Sequence, residues 1–185
     1  QAPKTVATRT IDTGTTQRQI YSFGVYEGVS KVGSVTGDLC TTCGGNQSAT
    51  YDNLSGFPIS ATDFAGNKTF YQYDSSGRET CKVEGVAADP ATAAYRRTLT
   101  AYNTDPNYLF LPTVVDVYEP AASIAVPTNC DTSPNSSNWV LRKETVLSYS
   151  PGTGRLATRT EKSYNSNSQQ DLTVSPDRVT TYTYY

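Results

Sequence analysis

The sequence predicts an all-β protein: an antiparallel meander of hairpins that forms an extended or coiled β-strip, with little or no helix. The 185 residues include 28 Thr, 15 Val and 14 Tyr, and these residue types suit the half-buried surface of a pleated sheet. Apolar and polar residues alternate with a period of two. Gly56, Gly66 and Gly77 recur every 10 or 11 residues, which is the spacing of short strands joined by turns.

Strands are predicted wherever this alternation is visible along the chain. Near the beginning, residues 4–11 and 17–23 flank the turn-forming sequence Asp12-Thr13-Gly14. The clearest part of the meander is residues 51–83. Within it, strands are predicted at residues 68–73 and 78–83, because their side chains alternate between two faces with a period of two. The remaining predicted strands are residues 95–102, 111–118, 139–149, 155–164 and 178–185.

Two hairpin turns are predicted from their chemistry. Asp63 opens a turn that ends at Gly66 and Asn67, and Asp74 opens one that ends at Gly77. An Asp carboxylate can accept hydrogen bonds from backbone N–H groups two residues later, and a Gly can adopt a positive φ. A calcium site at Asp63 and Asn67 is the alternative, but the alternating acidic ligands typical of such a site are absent.

One long connection is predicted at residues 119–138, a Pro-rich excursion without strand periodicity. Residues 89–96 are the one segment whose pattern is compatible with a short helix. The length of the chain predicts a single domain, residues 1–185.

The composition argues against several classes of function. The chain contains no His, which removes the imidazole base of Ser-His-Asp and Cys-His sites and the commonest metal ligand. The net charge is −2 without a Lys/Arg run, and no apolar stretch is long enough to span a bilayer. The acidic residues are scattered singly, so no catalytic carboxylate pair is indicated. We therefore expect no enzyme activity, no cofactor, no nucleic-acid partner and no membrane insertion.

The cysteines indicate an oxidising environment. Cys40, Cys43, Cys81 and Cys130 are an even number without a neighbouring His, so two structural disulfides are predicted, with three connectivities open. A zinc site or a redox pair at the Cys-x-x-Cys sequence is the alternative. A chain that begins at Gln1 without Met suggests removal of a leader or a piece of a longer protein. The predicted location is extracellular or on the cell surface.

A repeat is visible in the middle of the chain. Tyr73-Asp74-Ser75-Ser76-Gly77-Arg78, preceded by the Asp63 turn, resembles the repeat of the RHS/YD-repeat family. The resemblance implies a long antiparallel β-strip that, in family members, coils into a hollow shell around a toxin or serves in cell-surface contact. Weaker copies occur at Tyr51-Asp52 to Gly56, at residues 111–115 and at residues 149–156, and residues 181–185 resemble the strand that leads into another Tyr-Asp turn.

The first functional hypothesis is a non-enzymatic extracellular structural protein that self-assembles into a surface layer or filament. Its edge strands would pair with a second copy, and the terminal Tyr182, Tyr184 and Tyr185 belong to the predicted assembly strand. One alternative is a cell-surface adhesion or carbohydrate-binding module that uses the Pro-rich excursion and Trp139 to contact a glycan or protein. The other alternative is a fragment of an RHS toxin-encapsulating shell.

Overall fold

The protein is all-β in the computed structural model, which describes residues 4–10, 16–37, 47–86, 95–121, 127–130, 139–165, 167–168 and 177–184. Twelve strands form one antiparallel sheet, and their order in the sheet is their order along the chain. The predicted antiparallel meander is therefore confirmed, and these ranges contain no helix. It follows that they contain no helix that could cross a membrane.

The strand bounds agree closely with the alternation in the sequence. Predicted strands 68–73 and 139–149 match β6 and β10 residue for residue. The strands are β1 (Lys4–Thr10), β2 (Thr16–Tyr26), β3 (Val29–Gly37), β4 (Gln47–Tyr51), β5 (Pro58–Thr62), β6 (Lys68–Tyr73), β7 (Glu79–Val86), β8 (Arg96–Tyr102), β9 (Pro112–Pro120), β10 (Trp139–Tyr149), β11 (Leu156–Ser163) and β12 (Arg178–Thr181).

The hairpin that β3 forms with β2 is the main element that the sequence analysis did not predict, although β2 itself was predicted as residues 17–23. Its two-residue turn, Glu27-Gly28, has positive φ at both positions (50° and 74°), as a type I′ turn requires. The register between the strands shifts after Ser22, and Gly33 lies opposite this irregularity. Such a bulge breaks the alternation of side chains, which explains why the pattern of β3 is not visible in the sequence.

Other predictions fall partly outside the described residues. The helical pattern at residues 89–96 is one of them, and Arg96 is already the first residue of β8. In the Pro-rich excursion, β9 continues to Pro120, and only residues 121 and 127–130 of the connection that follows are described. The last strand is shorter than predicted, because β12 ends at Thr181.

One compact unit of the chain comprises Gln1–Tyr71 and Glu84–Ala94. Val35 and Val86 are its buried apolar side chains among the described residues. Ala49 of β4 pairs with Ala61 of β5, so this part of the sheet carries small side chains. Several larger apolar side chains remain exposed in the same unit: Val25, Val29, Leu54, Phe57, Ile59 and Phe64.

The second compact unit comprises Gln72–Val83 and Tyr95–Tyr185. Its strands β8 to β12 pair in sequence, each antiparallel to the next. Six of its described side chains are buried, which gives this unit a more substantial core than the first: Cys81, Val83, Tyr95, Arg97, Tyr118 and Cys130. The single domain predicted for residues 1–185 stays a prediction.

Candidate functional site

The turn between β6 and β7 is built around the carboxylate of Asp74. Its Oδ1 accepts hydrogen bonds from the backbone N–H groups of Ser76 (2.9 Å) and Arg78 (3.0 Å). Gly77 donates its N–H to the Asp74 carbonyl and has a φ of 77°, a conformation that side chains with a Cβ rarely adopt. The repeat motif that begins at Tyr73 thus forms a hairpin turn held by its own Asp.

Two further turns in the first unit use an Asp in the same way. Asp63 accepts hydrogen bonds from the backbone N–H (2.8 Å) and side-chain amide (3.1 Å) of Asn67, and Gly66 has a φ of 84°. Asp52 accepts the N–H (2.7 Å) and hydroxyl (2.8 Å) of Ser55. Hydrogen bonds from the Asn67 side chain and the Ser55 N–H respectively lower the pKa of Asp63 and of Asp52. Because Asn67 occupies both oxygens of Asp63, this carboxylate acts as a turn cap.

One tyrosine contact recurs along the chain, and we call it a tyrosine clamp. The tyrosine hydroxyl donates to the carbonyl of an earlier residue, and the basic side chain just before that residue lies over the tyrosine ring. In the best example, the Tyr102 hydroxyl donates a hydrogen bond to the Glu79 carbonyl at 2.9 Å. The guanidinium of the preceding residue, Arg78, lies 4.9 Å from the centre of the Tyr102 ring, within range of a cation–π interaction. Burial, and then the charge of Glu79, raise the pKa of Tyr102. The clamp therefore holds both the hydroxyl and the ring face of one tyrosine side chain.

The first unit contains an equivalent clamp at Tyr51. The Tyr51 hydroxyl donates to the Val32 carbonyl at 3.0 Å, and the Lys31 ammonium lies 5.2 Å from the centre of the ring. Lys31 also donates a hydrogen bond to the carbonyl of Gly56, in the turn that follows Tyr51. The Tyr26 ring packs at a tilt against Tyr51, with 4.8 Å between centroids.

The third clamp lies beside the last strand. The Tyr184 hydroxyl donates to the Leu156 carbonyl at 3.0 Å, and the Arg155 guanidinium lies 5.1 Å from the ring centre. Tyr149 makes the hydroxyl half of the same contact, with the Pro112 carbonyl at 2.7 Å. These four tyrosines thus link their strands to backbone carbonyls elsewhere in the sheet.

Arg78 additionally connects its own turn to the loop between β8 and β9. Its Nε donates to Asp74 Oδ2 at 2.6 Å. Its Nη1 donates to the carbonyls of Leu109 (2.5 Å) and Asn103 (3.3 Å). The Arg78 side chain is only 17% exposed. Because a guanidinium presents several donors in one plane, this one side chain donates hydrogen bonds to acceptors in two successive turns.

The disulfide of the second unit joins β7 to the Pro-rich connection. Cys81 and Cys130 are both buried, with 5.9 Å between their Cα atoms. This pairing is compatible with one of the three connectivities that the sequence leaves open. Cys40 and Cys43 lie outside the described residues.

A buried guanidinium lies in the core of this unit. Arg97 has no exposed surface, and it lies 4.4 Å from the Tyr118 ring centre and 4.7 Å from the Trp139 ring centre. Trp139 also makes an edge-to-face contact with Tyr95 at 5.7 Å. Arg97 and Tyr95 thus contact part of the Trp139 ring, and the side chain is half-buried. Its role as a ligand platform stays a prediction.

Two carboxylates that look unrelated in the sequence meet across β9 and β10. Asp116 lies directly opposite Glu144, and Glu144 accepts hydrogen bonds from Lys162 (2.6 Å) and the Tyr164 hydroxyl (3.3 Å). Burial, followed by the charge of Glu144, raises the pKa of Asp116. Lys162 and Tyr164 engage both oxygens of Glu144, so the arrangement is an internal ionic contact. The sequence could not reveal it, because the register of β9 and β10 shifts between Leu141 and Lys143.

Alkaline pH should destabilise this core. Burial, and then the negative charge of Asp116, raise the pKa of Tyr118 to about 12, whereas an unfolded chain ionises a tyrosine at about pH 10. Between these values the unfolded state releases a proton that the folded state retains. The free energy of unfolding should therefore fall as the pH rises from about 10 to about 12. Urea titrations across this range should show the decline, and Tyr118→Phe should make it shallower; an equal decline in the variant would contradict the assignment to Tyr118.

The predicted assembly strand lies at one end of the strand order. β12 pairs with β11 over four residues, from Thr158 opposite Thr181 to Glu161 opposite Arg178, and no described strand pairs with its other side. Apolar side chains in β12 and just after it are exposed. Val179 is 60% exposed and Tyr184 is 48% exposed, whereas Tyr185 lies outside the described residues.

The first unit also has a shallow cavity of about 290 Å³ on the sheet surface. Tyr21 and Tyr51 form part of its wall, and Gly33, Ala49 and Ala61 lie among the residues around it. Small side chains between two rings leave this space open. The sequence analysis did not assign the residues around this cavity to a binding site.

The described ranges contain no group of three or more Cys, Asp or Glu side chains placed to hold a metal ion. Comparison of the chain with protein-family models gives no match, and comparison with curated protein sequences gives none either.

Proposed function

We propose that this chain is a non-enzymatic structural module of the cell exterior that assembles into a surface layer or filament through the open edge of its sheet. The observation that carries the proposal is β12, which lies at the edge of the described sheet with Val179 exposed, and which is followed by the exposed Tyr184. An uncovered edge offers a row of unpaired N–H and C=O groups to another chain. Pairing with a second copy satisfies these groups and buries the apolar side chains.

The extracellular part of the proposal is supported by the Cys81–Cys130 disulfide. Disulfides persist in oxidising compartments and are rare where thiols are kept reduced. Membership of the RHS/YD-repeat family is a proposal as well. It is supported by the turn geometry, because Asp74 accepts backbone hydrogen bonds, Gly77 has a positive φ and Arg78 pairs with Asp74.

A charge on the edge strand should prevent assembly. We expect the natively folded chain to form regular assemblies in electron micrographs and to sediment faster than a monomer of 20.0 kDa. Val179→Lys should leave monomers, because a lysine on an edge strand disfavours the approach of a second strand. Deletion of residues 178–185 should do the same.

The matched control is Val25→Lys. Val25 is 62% exposed, close to the 60% of Val179, but it lies on β2 near a hairpin turn and not on an edge strand. This variant should assemble normally. Normal assembly of Val179→Lys and of the deletion variant would refute assembly through β12.

The ring-lined cavity supports a second candidate function, a carbohydrate-contacting adhesion module. Tyrosine rings with nearby polar side chains, here Tyr21, Tyr51 and Gln47, are the kind of surface that binds a ring-shaped ligand with polar groups. Calorimetric titration with mono- and disaccharides should then give binding that Tyr21→Ala removes. An absence of heat at millimolar sugar would leave the structural role as the sole proposal.

A further inference from the structure

One carboxyl group of the second unit is buried with only one of its oxygens hydrogen-bonded. Asp116 Oδ2 accepts a hydrogen bond from the Tyr118 hydroxyl at 3.3 Å. Asp116 Oδ1 is buried, and none of the residues that the structure describes donates a hydrogen bond to it. A buried carboxylate oxygen without a donor lowers the stability of a fold, because nothing replaces the water that it loses on folding. Such a site favours the protonated carboxyl group, which carries no charge and can itself donate a hydrogen bond.

The residue opposite Asp116 supplies a second reason for a proton at this place. Glu144 faces Asp116 across β9 and β10, and two negative charges directly opposite each other in an antiparallel pair are unfavourable. The Lys162 ammonium (2.6 Å) and the Tyr164 hydroxyl (3.3 Å) donate to the two oxygens of Glu144, which suits an ionised carboxylate. Because Asp116 Oδ1 has no such donor, the proton of the pair belongs on Asp116.

The other titratable groups around Asp116 come from β8, from β9 itself, from β11 and from the residue after β11: Arg97, Tyr118, Lys162 and Tyr164. The two positive charges and the hydrogen bond from the Tyr118 hydroxyl favour the charged form of Asp116. Tyr164 is a neutral phenol at acidic and neutral pH. Burial, and then the charge of Glu144, outweigh these groups and raise the pKa of Asp116. The pKa thus agrees with the geometry.

We propose that Asp116 and Glu144 form an acid-strengthened latch between β9 and β10. In acidic surroundings Asp116 takes up one proton from the solvent and donates it in a hydrogen bond to Glu144, so the pair keeps a single negative charge. Opposed side chains of antiparallel strands lie close enough for such a bond. When the proton leaves as the pH rises, the two carboxylates repel each other and the latch weakens. Both residues belong to one copy of the chain, so the latch does not depend on the proposed assembly.

The latch determines how stability depends on pH. An unfolded chain releases the proton of an Asp at about pH 3.9, whereas burial raises the pKa of Asp116 in the folded chain. The stability that the proton contributes is therefore complete below the unfolded pKa and is lost as the pH rises through the folded pKa. Asp52 and Asp63 act in the opposite direction, because hydrogen bonds in their own turns lower their pKa values, and their contribution is lost below about pH 4. The free energy of unfolding should thus rise as the pH falls from 7 towards 5.

Urea unfolding tests the latch, at a protein concentration at which each chain sediments as a monomer. The urea midpoint of the unmodified chain should be higher at pH 5 than at pH 7. Asp116→Asn should lack this rise, and at pH 7 its ratio of folded to unfolded chain should be about two- to fivefold higher, because a neutral amide removes the opposed charges and can donate to Glu144. Glu119→Gln is the matched control: it removes another carboxylate of β9, one that is 55% exposed and paired with Arg142, and it should keep the rise. A midpoint of the unmodified chain that stays level or falls between pH 7 and pH 5 would overturn the proposal.

A direct titration of the carboxyl group separates protonation from other effects of the substitution. In chain labelled with ¹³C, the side-chain carboxyl signal of Asp116 is the one that Asp116→Asn loses. Its midpoint should lie above the ordinary Asp value of about 3.9. Glu144→Gln should lower this midpoint, because it removes the opposing negative charge and leaves the charge of Lys162 unbalanced. A midpoint at or below the ordinary value would refute the latch even if Asp116→Asn is more stable. An unchanged midpoint in Glu144→Gln would show that burial alone holds the proton, and the shared latch would be refuted as well.

Discussion

Replacement of both Cys81 and Cys130 by alanine is expected to lower the free energy of unfolding by about 4 kcal/mol. The disulfide joins residues separated by 49 positions in the sequence. A crosslink across a loop of this length removes much of the conformational freedom of the unfolded chain, and loss of the crosslink restores it. This is one of the two largest effects that we expect from a change in the described structure.

The position of the disulfide explains why its loss should also affect the native state. Cys81 lies in β7 on the same face as the buried Val83. Cys130 belongs to the connection between β9 and β10, which has no strand pairing of its own in the described residues. The covalent bond is therefore a principal tether between this connection and the core of its unit. Two alanines also remove buried sulfur atoms, which adds a packing loss to the entropic one.

Urea unfolding of the unmodified protein and of the double variant measures the effect. The unmodified protein should also lose stability in a reducing agent, whereas the double variant should respond only through Cys40 and Cys43. The comparison thus isolates the contribution of Cys81–Cys130. A loss below about 1 kcal/mol would mean that the unfolded chain is already restricted in the absence of the bond.

The fold could be predicted from the sequence because the alternation of side chains and the turn-forming residues indicate the same strands and turns. The alternation in residues 68–73 and 139–149 has no interruption, and both strands have the expected bounds. Asp63 and Asp74 form the expected turns since a carboxylate and a later Gly act within a few residues of each other. Strand β3 was missed because a bulge beside Gly33 interrupts the alternation of its side chains.

The clamps could not be predicted in the same way, because their acceptors are backbone carbonyls that leave no trace in the sequence. The burial of Arg97 is a similar case. Its two aromatic neighbours, Tyr118 and Trp139, come from two other strands, so the local sequence around Arg97 does not indicate its burial. In retrospect, one signal was available: the dipeptide Gly-Arg occurs at residues 77–78 and again at 154–155, and in both cases the Arg lies over a later tyrosine.

Replacement of Arg78 by alanine is the second change from which we expect a large effect, a loss of about 3 kcal/mol in the free energy of unfolding. The variant removes the partner of Asp74 and leaves the carbonyls of Leu109 and Asn103 without their donor. It also removes the cation from the face of the Tyr102 ring. Unpaired polar groups in a partly buried site cost more than the hydrogen bonds themselves contribute.

The loss should be concentrated in the loop that Arg78 binds. The N–H of Asn103 donates to the Leu111 carbonyl at 2.9 Å and closes this loop. Hydrogen exchange of the backbone amides of residues 103–111 should therefore accelerate in Arg78→Ala more than exchange in β10. Equal acceleration in both segments would mean that Arg78 contributes to the whole unit and not to the junction of two turns.

Arg155→Ala provides the matched control, because Arg155 has the same place in the motif: it follows a Gly, precedes a strand and lies over a tyrosine ring. Its side chain is exposed, so the monomer should lose only about 0.5–1 kcal/mol. Arg78→Lys should be intermediate, since an ammonium keeps the charge but cannot reach Asp74 and two carbonyls in one plane. If Arg78→Ala and Arg155→Ala have equal effects on the monomer, the ring contact alone accounts for both. The bonds from Arg78 to the carbonyls of Asn103 and Leu109 would then contribute nothing to the free energy of unfolding.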